Sequence, residues 1–115
     1  MTALRLIDNE SYVLWWRDEK NNKFYPAGVA FYEPNYGEYR LKIDLMPETH
    51  LFLRPIGSQD DVILYRLEIV IKKNNKFMRR VSVGEGQSDP KQNRDVLINL
   101  YAYSRELILV RRKNE

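Results

Sequence analysis

Apolar and polar residues alternate through most of this chain, with a period of two. Tyr39, Leu41, Ile43 and Leu45 are apolar, while Arg40, Lys42 and Asp44 between them are charged. That pattern predicts a strand with one buried and one wet face. Val62–Lys72 repeats it at greater length, with Ile63, Tyr65, Leu67, Ile69 and Ile71 on one face and Arg66 and Glu68 on the other. Ser11–Arg17 is rich in the aromatic and β-branched residues that suit a pleated surface. Tyr12, Leu14 and Trp16 share one of its faces, Val13 and Trp15 the other. Phe24–Glu33 places Tyr25, Ala27, Val29 and Phe31 together, with Pro26 marking the start of the strand or an edge. Leu51–Arg54, Phe77–Val83 and Leu107–Arg112 complete the clear strands. Asn, Gly and Pro set the turns between them, and Pro55 and Gly57 are expected to close the fourth strand. Gly84–Gln92 reads as a loop.

Asp95–Tyr103 fits two patterns. Val96, Ile98, Leu100 and Ala102 fall on one face of a strand. Leu97, Leu100 and Tyr101 form a helical stripe, and Pro90 suits a first helical turn capped by Ser88 or Asp89.

A repeat decides between them. Lys20-Asn21-Asn22-Lys23-Phe24 recurs as Lys73-Asn74-Asn75-Lys76-Phe77. The same shift of 53 lays Tyr12 on Tyr65, Leu14 on Leu67 and Trp16 on Ile69. A slip of two residues lays Leu41–Leu45 on Val96–Leu100, and one more lays Leu51–Leu53 on Leu107–Leu109. Internal periodicity of this kind constrains a fold more than local propensity does. It makes Asp95–Leu100 a strand. The expectation is a single all-β domain over residues 1–115, duplicated internally over 11–57 and 62–113. About eight antiparallel strands would form two similar four-stranded meanders joined into one barrel or sandwich. The alternative is an OB-like barrel with a helix near 90–104. The second strands of the two halves disagree in side-chain parity, which a bulge in one copy would explain. Both pentapeptides are expected to make the same hairpin.

Charge adds an asymmetry. The net charge is +3. Residues 1–60 hold 7 Lys/Arg and 9 Asp/Glu, whereas residues 61–115 hold 12 and 7. The absence of cysteine excludes disulfides, thiolate metal sites and a thiol nucleophile, and suits a reducing compartment. The first eight residues lack the form of a signal peptide, and no apolar run is long enough to cross a bilayer as a helix. A cytoplasmic protein without membrane contact is expected.

Catalytic chemistry finds little footing. His50 is the only histidine, with no nucleophile or soft ligand at a telling spacing. Gly84-Glu85-Gly86-Gln87-Ser88-Asp89 lacks the third glycine and the Lys-Ser/Thr of a phosphate loop. Asp18-Glu19 and Asp60-Asp61 lack calcium-loop spacing. No catalytic, cofactor or metal residue is assigned.

The prominent candidates are basic and aromatic. Lys72, Lys73, Lys76, Arg79 and Arg80 place five cations within nine residues and no acid among them. Arg66 and the C-terminal Arg111-Arg112-Lys113 are candidate extensions. Trp15 and Tyr36 are expected to be exposed. Cations that neutralise phosphate beside rings on which bases stack describe a single-strand grip. The leading expectation is a non-enzymatic protein that binds single-stranded DNA or RNA, with Lys72, Lys73, Lys76, Arg79, Arg80 and Arg66 on phosphate and Trp15 and Tyr36 stacking. The rival is an interaction or assembly module, a homo-oligomer joined through sheet edges or the aromatic face. An enzyme whose acids or His50 converge only in three dimensions is the third reading.

Overall fold

The computed structural model describes residues 11–18, 20–89, 95–102 and 106–111. Eight strands run in order: β1 (Ser11–Asp18), β2 (Lys23–Glu33), β3 (Glu38–Ile43), β4 (Leu51–Gln59), β5 (Val62–Lys73), β6 (Lys76–Asp89), β7 (Asp95–Leu100) and β8 (Glu106–Arg111). Each pairs antiparallel with the next, and β8 returns to β1, so the sheet closes as an up-and-down barrel. Asp95–Leu100 is a strand, which overturns the OB-like alternative with its helix. The remainder of that stretch, residues 90–94 and 103–105, lies outside the described residues. Period two wins because Val96, Ile98 and Leu100 are all buried.

An eight-stranded barrel is just wide enough for its interior to be filled by side chains. Leu14, Leu41, Ile43, Leu51, Leu53, Leu67, Ile98, Leu107 and Leu109 fill this one. Trp16 lies toward one end. Tyr12, Tyr39 and Tyr65 gather toward the other, with the Tyr39 ring edge-on to Tyr12 at 5.1 Å between centroids.

Four local expectations need correction. Leu45 is exposed, because β3 ends at Ile43 and a turn follows. β4 runs on through Pro55 and Gly57 by shifting register between them, and a bulge tolerates proline where a regular ladder does not. Gly84–Asp89 is strand, not loop, with Gly84 and Gly86 admitting the β7 backbone to close range. In β2, Leu14 faces Gly28 and Trp15 faces Pro26, which leaves Ala27 as an extra residue. Beyond that bulge Ala30 faces the core, while Val29 and Phe31 face outward.

The halves share one register. Leu14 pairs with Leu109 and Gly28; Leu67 pairs with Leu53 and Gly84. The β1–β2 ladder shifts between Leu14 and Trp15, and the β5–β6 ladder shifts at the matching step between Leu67 and Glu68. Gly28 crowds the Lys42 carbonyl, as Gly84 crowds that of Asn99. β1 maps onto β5 with an offset of 53, β2 onto β6 with 56, β3 onto β7 with 57 and β4 onto β8 with 56. Both copies therefore carry the bulge. The parity mismatch comes from three additional residues in the second hairpin, and the slip between Leu41–Leu45 and its counterpart is four residues, not two.

Candidate functional site

Antiparallel neighbours put the β1–β2, β3–β4, β5–β6 and β7–β8 connections at one end of the barrel. The β2–β3 and β4–β5 turns lie at the other. β5 pairs with β4 only as far as Ile69, and β6 pairs with β7 only from Gly84 onward. A last tie from the Val70 N–H to the His50 carbonyl spans 3.2 Å. Past it, among the described residues, β5 and β6 pair with each other alone, as a two-stranded ribbon. Asn74 (φ 53°) and Asn75 (φ 63°) make its two-residue turn, both in the left-handed region that a type I′ hairpin requires.

The first pentapeptide does not make the same hairpin. Asp18 pairs with Lys23 across a longer loop, Asn22 alone of the two asparagines has positive φ, and Asn21 Nδ2 donates to Asp18 Oδ2 at 2.9 Å. That side-chain bond gives the backbone a wider way round.

Lys72, Lys73, Lys76 and Arg79 are all exposed on the ribbon, and no acid occurs from Ile69 to Ser82. Phe77 and Met78 stand exposed among them, at 61% and 56% of full accessibility. Across the barrel at the same end, the β1–β2 tip carries Lys20, Lys23, Phe24 and Tyr25, all exposed, and the β3–β4 turn between the two carries Asp44 and Glu48. Sequence reasoning passes over Phe77 and Met78. Their signal is the hairpin itself, whose strands run past the ends of their β4 and β7 ladders.

The remaining predicted residues lie elsewhere. Arg66 sits six residues before Lys72 on β5, about 20 Å along the strand. It lines a groove of about 350 Å³ with Glu85, Asn99, Tyr101 and Glu106. Trp15 is on β1, four strands round the barrel from β5, half-buried in a different pocket. Tyr36 is highly exposed in the β2–β3 turn, at the far end from the ribbon. Arg112 and Lys113 lie outside the described residues.

Arg80 is on the sheet face away from the core, and its guanidinium is already engaged. Nη1 and Nη2 donate to Glu38 Oε1 and Oε2 at 2.8 and 2.9 Å, and Nη1 lies 3.4 Å from Glu68 Oε1. The same group lies 4.5 Å over the Phe52 ring. Arg54 grips Glu68 through two bonds of 3.0 Å. Glu38 and Glu68 are buried beneath these cations, 3% and 6% exposed. Hydrogen bonding from Arg54 is the largest influence holding the Glu68 carboxyl below its ordinary range; burial opposes it, and Arg80 adds to the lowering. Bidentate pairs of this kind fix geometry as well as charge.

No family model, curated protein or solved structure matches this chain. Its geometry carries the functional reading. Among the described residues no three His, Asp or Glu side chains stand together to hold a metal ion. His50 is half-buried in the β3–β4 connection.

Proposed function

We propose that the protein binds nucleic acid, with a preference for single strands, through the β5–β6 ribbon. The observation that carries this reading is the ribbon's composition: four exposed cations, two exposed apolar side chains and no acid, on strands that pair with no third strand. Phosphate contacts fall to Lys72, Lys73, Lys76 and Arg79. Phe77 replaces Trp15 and Tyr36 as the ring available for stacking, worth ~1–3 kcal/mol per base. Arg80 leaves the set because its donors already serve two carboxylates. Charged residues at outward-facing positions, among them Arg40, Lys42, Arg66 and Glu85, favour water around the barrel over lipid. The rival assembly reading keeps support wherever a strand pairs on one side alone: among the described residues the ribbon does so, and so does Arg54–Gln59 of β4, which pairs with β5 and not with β3.

The test is fluorescence anisotropy with labelled single- and double-stranded oligonucleotides at two salt concentrations. Four neutralised phosphates give a log–log slope of about −3 on single strands, so affinity should fall about 50-fold between 50 and 200 mM salt. Lys73→Glu with Lys76→Glu should weaken binding about tenfold or more at the lower salt. Phe77→Ala should cost about fivefold on single strands and little on duplex. Absence of binding at 50 mM, or binding indifferent to the double charge reversal, would sink the proposal.

A further inference from the structure

The shared register lets one half of the barrel comment on the other. On the outer face, Glu38 of β3, Phe52 and Arg54 of β4, Glu68 of β5 and Arg80 of β6 make the ion-pair cluster described above. Applying the offsets of each strand, their counterparts are Asp95, Ile108, Val110, Trp15 and Phe24. Those five residues line a separate pocket of about 410 Å³. One barrel position thus exists twice. In one copy it is filled by the chain's own arginine. In the other, Phe24 stands where Arg80 does and is 51% exposed, and the position is open among the described residues.

The chemistry of the filled copy indicates what the open one accepts. Arg80 lies over a ring and ends on a carboxylate. The open copy also offers a ring and a carboxylate, but Ile108 takes the place of Phe52 and the ring, Trp15, stands at the place of Glu68. Trp15 offers a larger aromatic face, and tryptophan attracts a guanidinium more strongly than phenylalanine does. Asp95 stands in the place of Glu38 and is, among the described residues, the only charged one in the lining. It has another interaction within the chain, and a carboxylate has lone pairs for more than one donor. Ile108 and Val110 supply apolar walls for the methylene stem. Arg17, two residues beyond Trp15 on the same face, is ion-paired with Glu106 at 3.7 Å.

We propose that the Trp15 pocket receives an arginine side chain presented by a partner protein, its guanidinium lying over Trp15 and reaching Asp95. This role is separate from the ribbon. It gives Trp15 a function other than base stacking.

The test is a ¹H–¹⁵N NMR titration of the full chain, reading the Trp15 indole N–H. The probes are N-acetylarginine methylamide and its neutral citrulline analogue. The arginine compound should shift the Trp15 signal saturably and bind at least about tenfold more tightly than the citrulline compound. Phe24→Arg puts an arginine at the counterpart of Arg80, on an exposed position where folding tolerates it. That variant should shift the Trp15 signal without ligand and weaken the arginine probe about tenfold or more, because the pocket is then filled from within. The Lys73→Glu, Lys76→Glu variant should bind the probe as the parent does, which keeps this result independent of the nucleic-acid reading. Equal response to the two probes, no response at Trp15, or undiminished binding by the Phe24→Arg variant would each overturn the proposal.

Discussion

Gly84→Ala is expected to remove a large share of the barrel's stability, although it adds only one methyl group. A Cβ at position 84 would enter the van der Waals envelope of the Asn99 carbonyl oxygen on β7, with the Asn99 carbonyl carbon and the Leu100 Cα just behind it, both at 3.3 Å. These are backbone atoms of a paired strand. They cannot yield as the end of a flexible side chain can. Gly28→Ala meets the Lys42 carbonyl of β3 in the same way, and Gly28 also holds φ at 155°, where a side chain is strained whatever the space. Separating β6 from β7, or β2 from β3, opens the barrel wall along a whole ladder. A cost of about 4 kcal/mol or more follows for each, against a total stability of about 5–15 kcal/mol for a domain of this size. Gly57→Ala is the control. Nothing lies within 4 Å of its Cβ, and a change within about 0.5 kcal/mol is expected. Urea denaturation followed by tryptophan fluorescence separates these outcomes. A Gly84→Ala protein as stable as the Gly57→Ala one would mean that the β6–β7 contact is not as close as described.

Those glycines also mark where sequence reading works and where it stops. Period two identified seven strands directly, and the repeat identified β7, because strand faces differ so sharply in polarity. Tyr12 with Tyr65 and Leu14 with Leu67 were visible as counterparts, and they take matching register positions in the barrel. Gly84 and Gly86 looked like loop residues. Glycine marks a turn and a close backbone approach with the same letter, and only the partner strand distinguishes them. The pentapeptide misled in a related way. Identical residues make different turns because the second hairpin is three residues longer in one arm. Phe24 therefore resembles Phe77 in sequence but occupies the place of Arg80 in space.

The candidate site divided along similar lines. Lys72, Lys73, Lys76 and Arg79 were legible because they are adjacent in the chain. Arg80 belonged to the same cluster by composition and to a different one by geometry. Its partners Glu38 and Glu68 lie 42 and 12 residues away. Alternation makes Glu68 a wet-face charge, since it says which face a residue takes and nothing about what covers that face. Trp15 and Tyr36 were exposed to some degree as expected, but on strands and turns that the topology carries away from the ribbon.

The ion-pair cluster should matter most to stability near neutral pH, and Arg80→Ala is the substitution that exposes it. Removing this guanidinium takes both close donors from Glu38, whose side chain is 5% exposed, and one from Glu68. Stranding a buried carboxylate costs more than the pair contributes, and a loss of about 2–4 kcal/mol is expected. In thermal denaturation that corresponds to about 10–20 °C. The pH dependence has a definite sign. Glu68 is held below its ordinary range in the folded protein, so its contribution is present above that range and is lost as pH falls through the lowered value. The gap between parent and Arg80→Ala should therefore be widest near pH 7 and shrink as pH falls through the lowered Glu68 value, where that carboxyl protonates and no longer needs a cation. Arg54→Ala, which removes the largest cause of the lowering, should show the same closing gap. Arg80→Met combined with Glu38→Met and Glu68→Met should recover most of the loss, to within about 1 kcal/mol of the parent, because apolar side chains of similar volume replace a buried pair at little cost. The barrel's other half already carries Trp15, Phe24, Ile108 and Val110 at four of the five matching positions, with Asp95 at that of Glu38. A gap that stays constant with pH, or a triple variant no better than Arg80→Ala alone, would assign the loss to the packing of Arg80 on Phe52 instead of to the stranded charge.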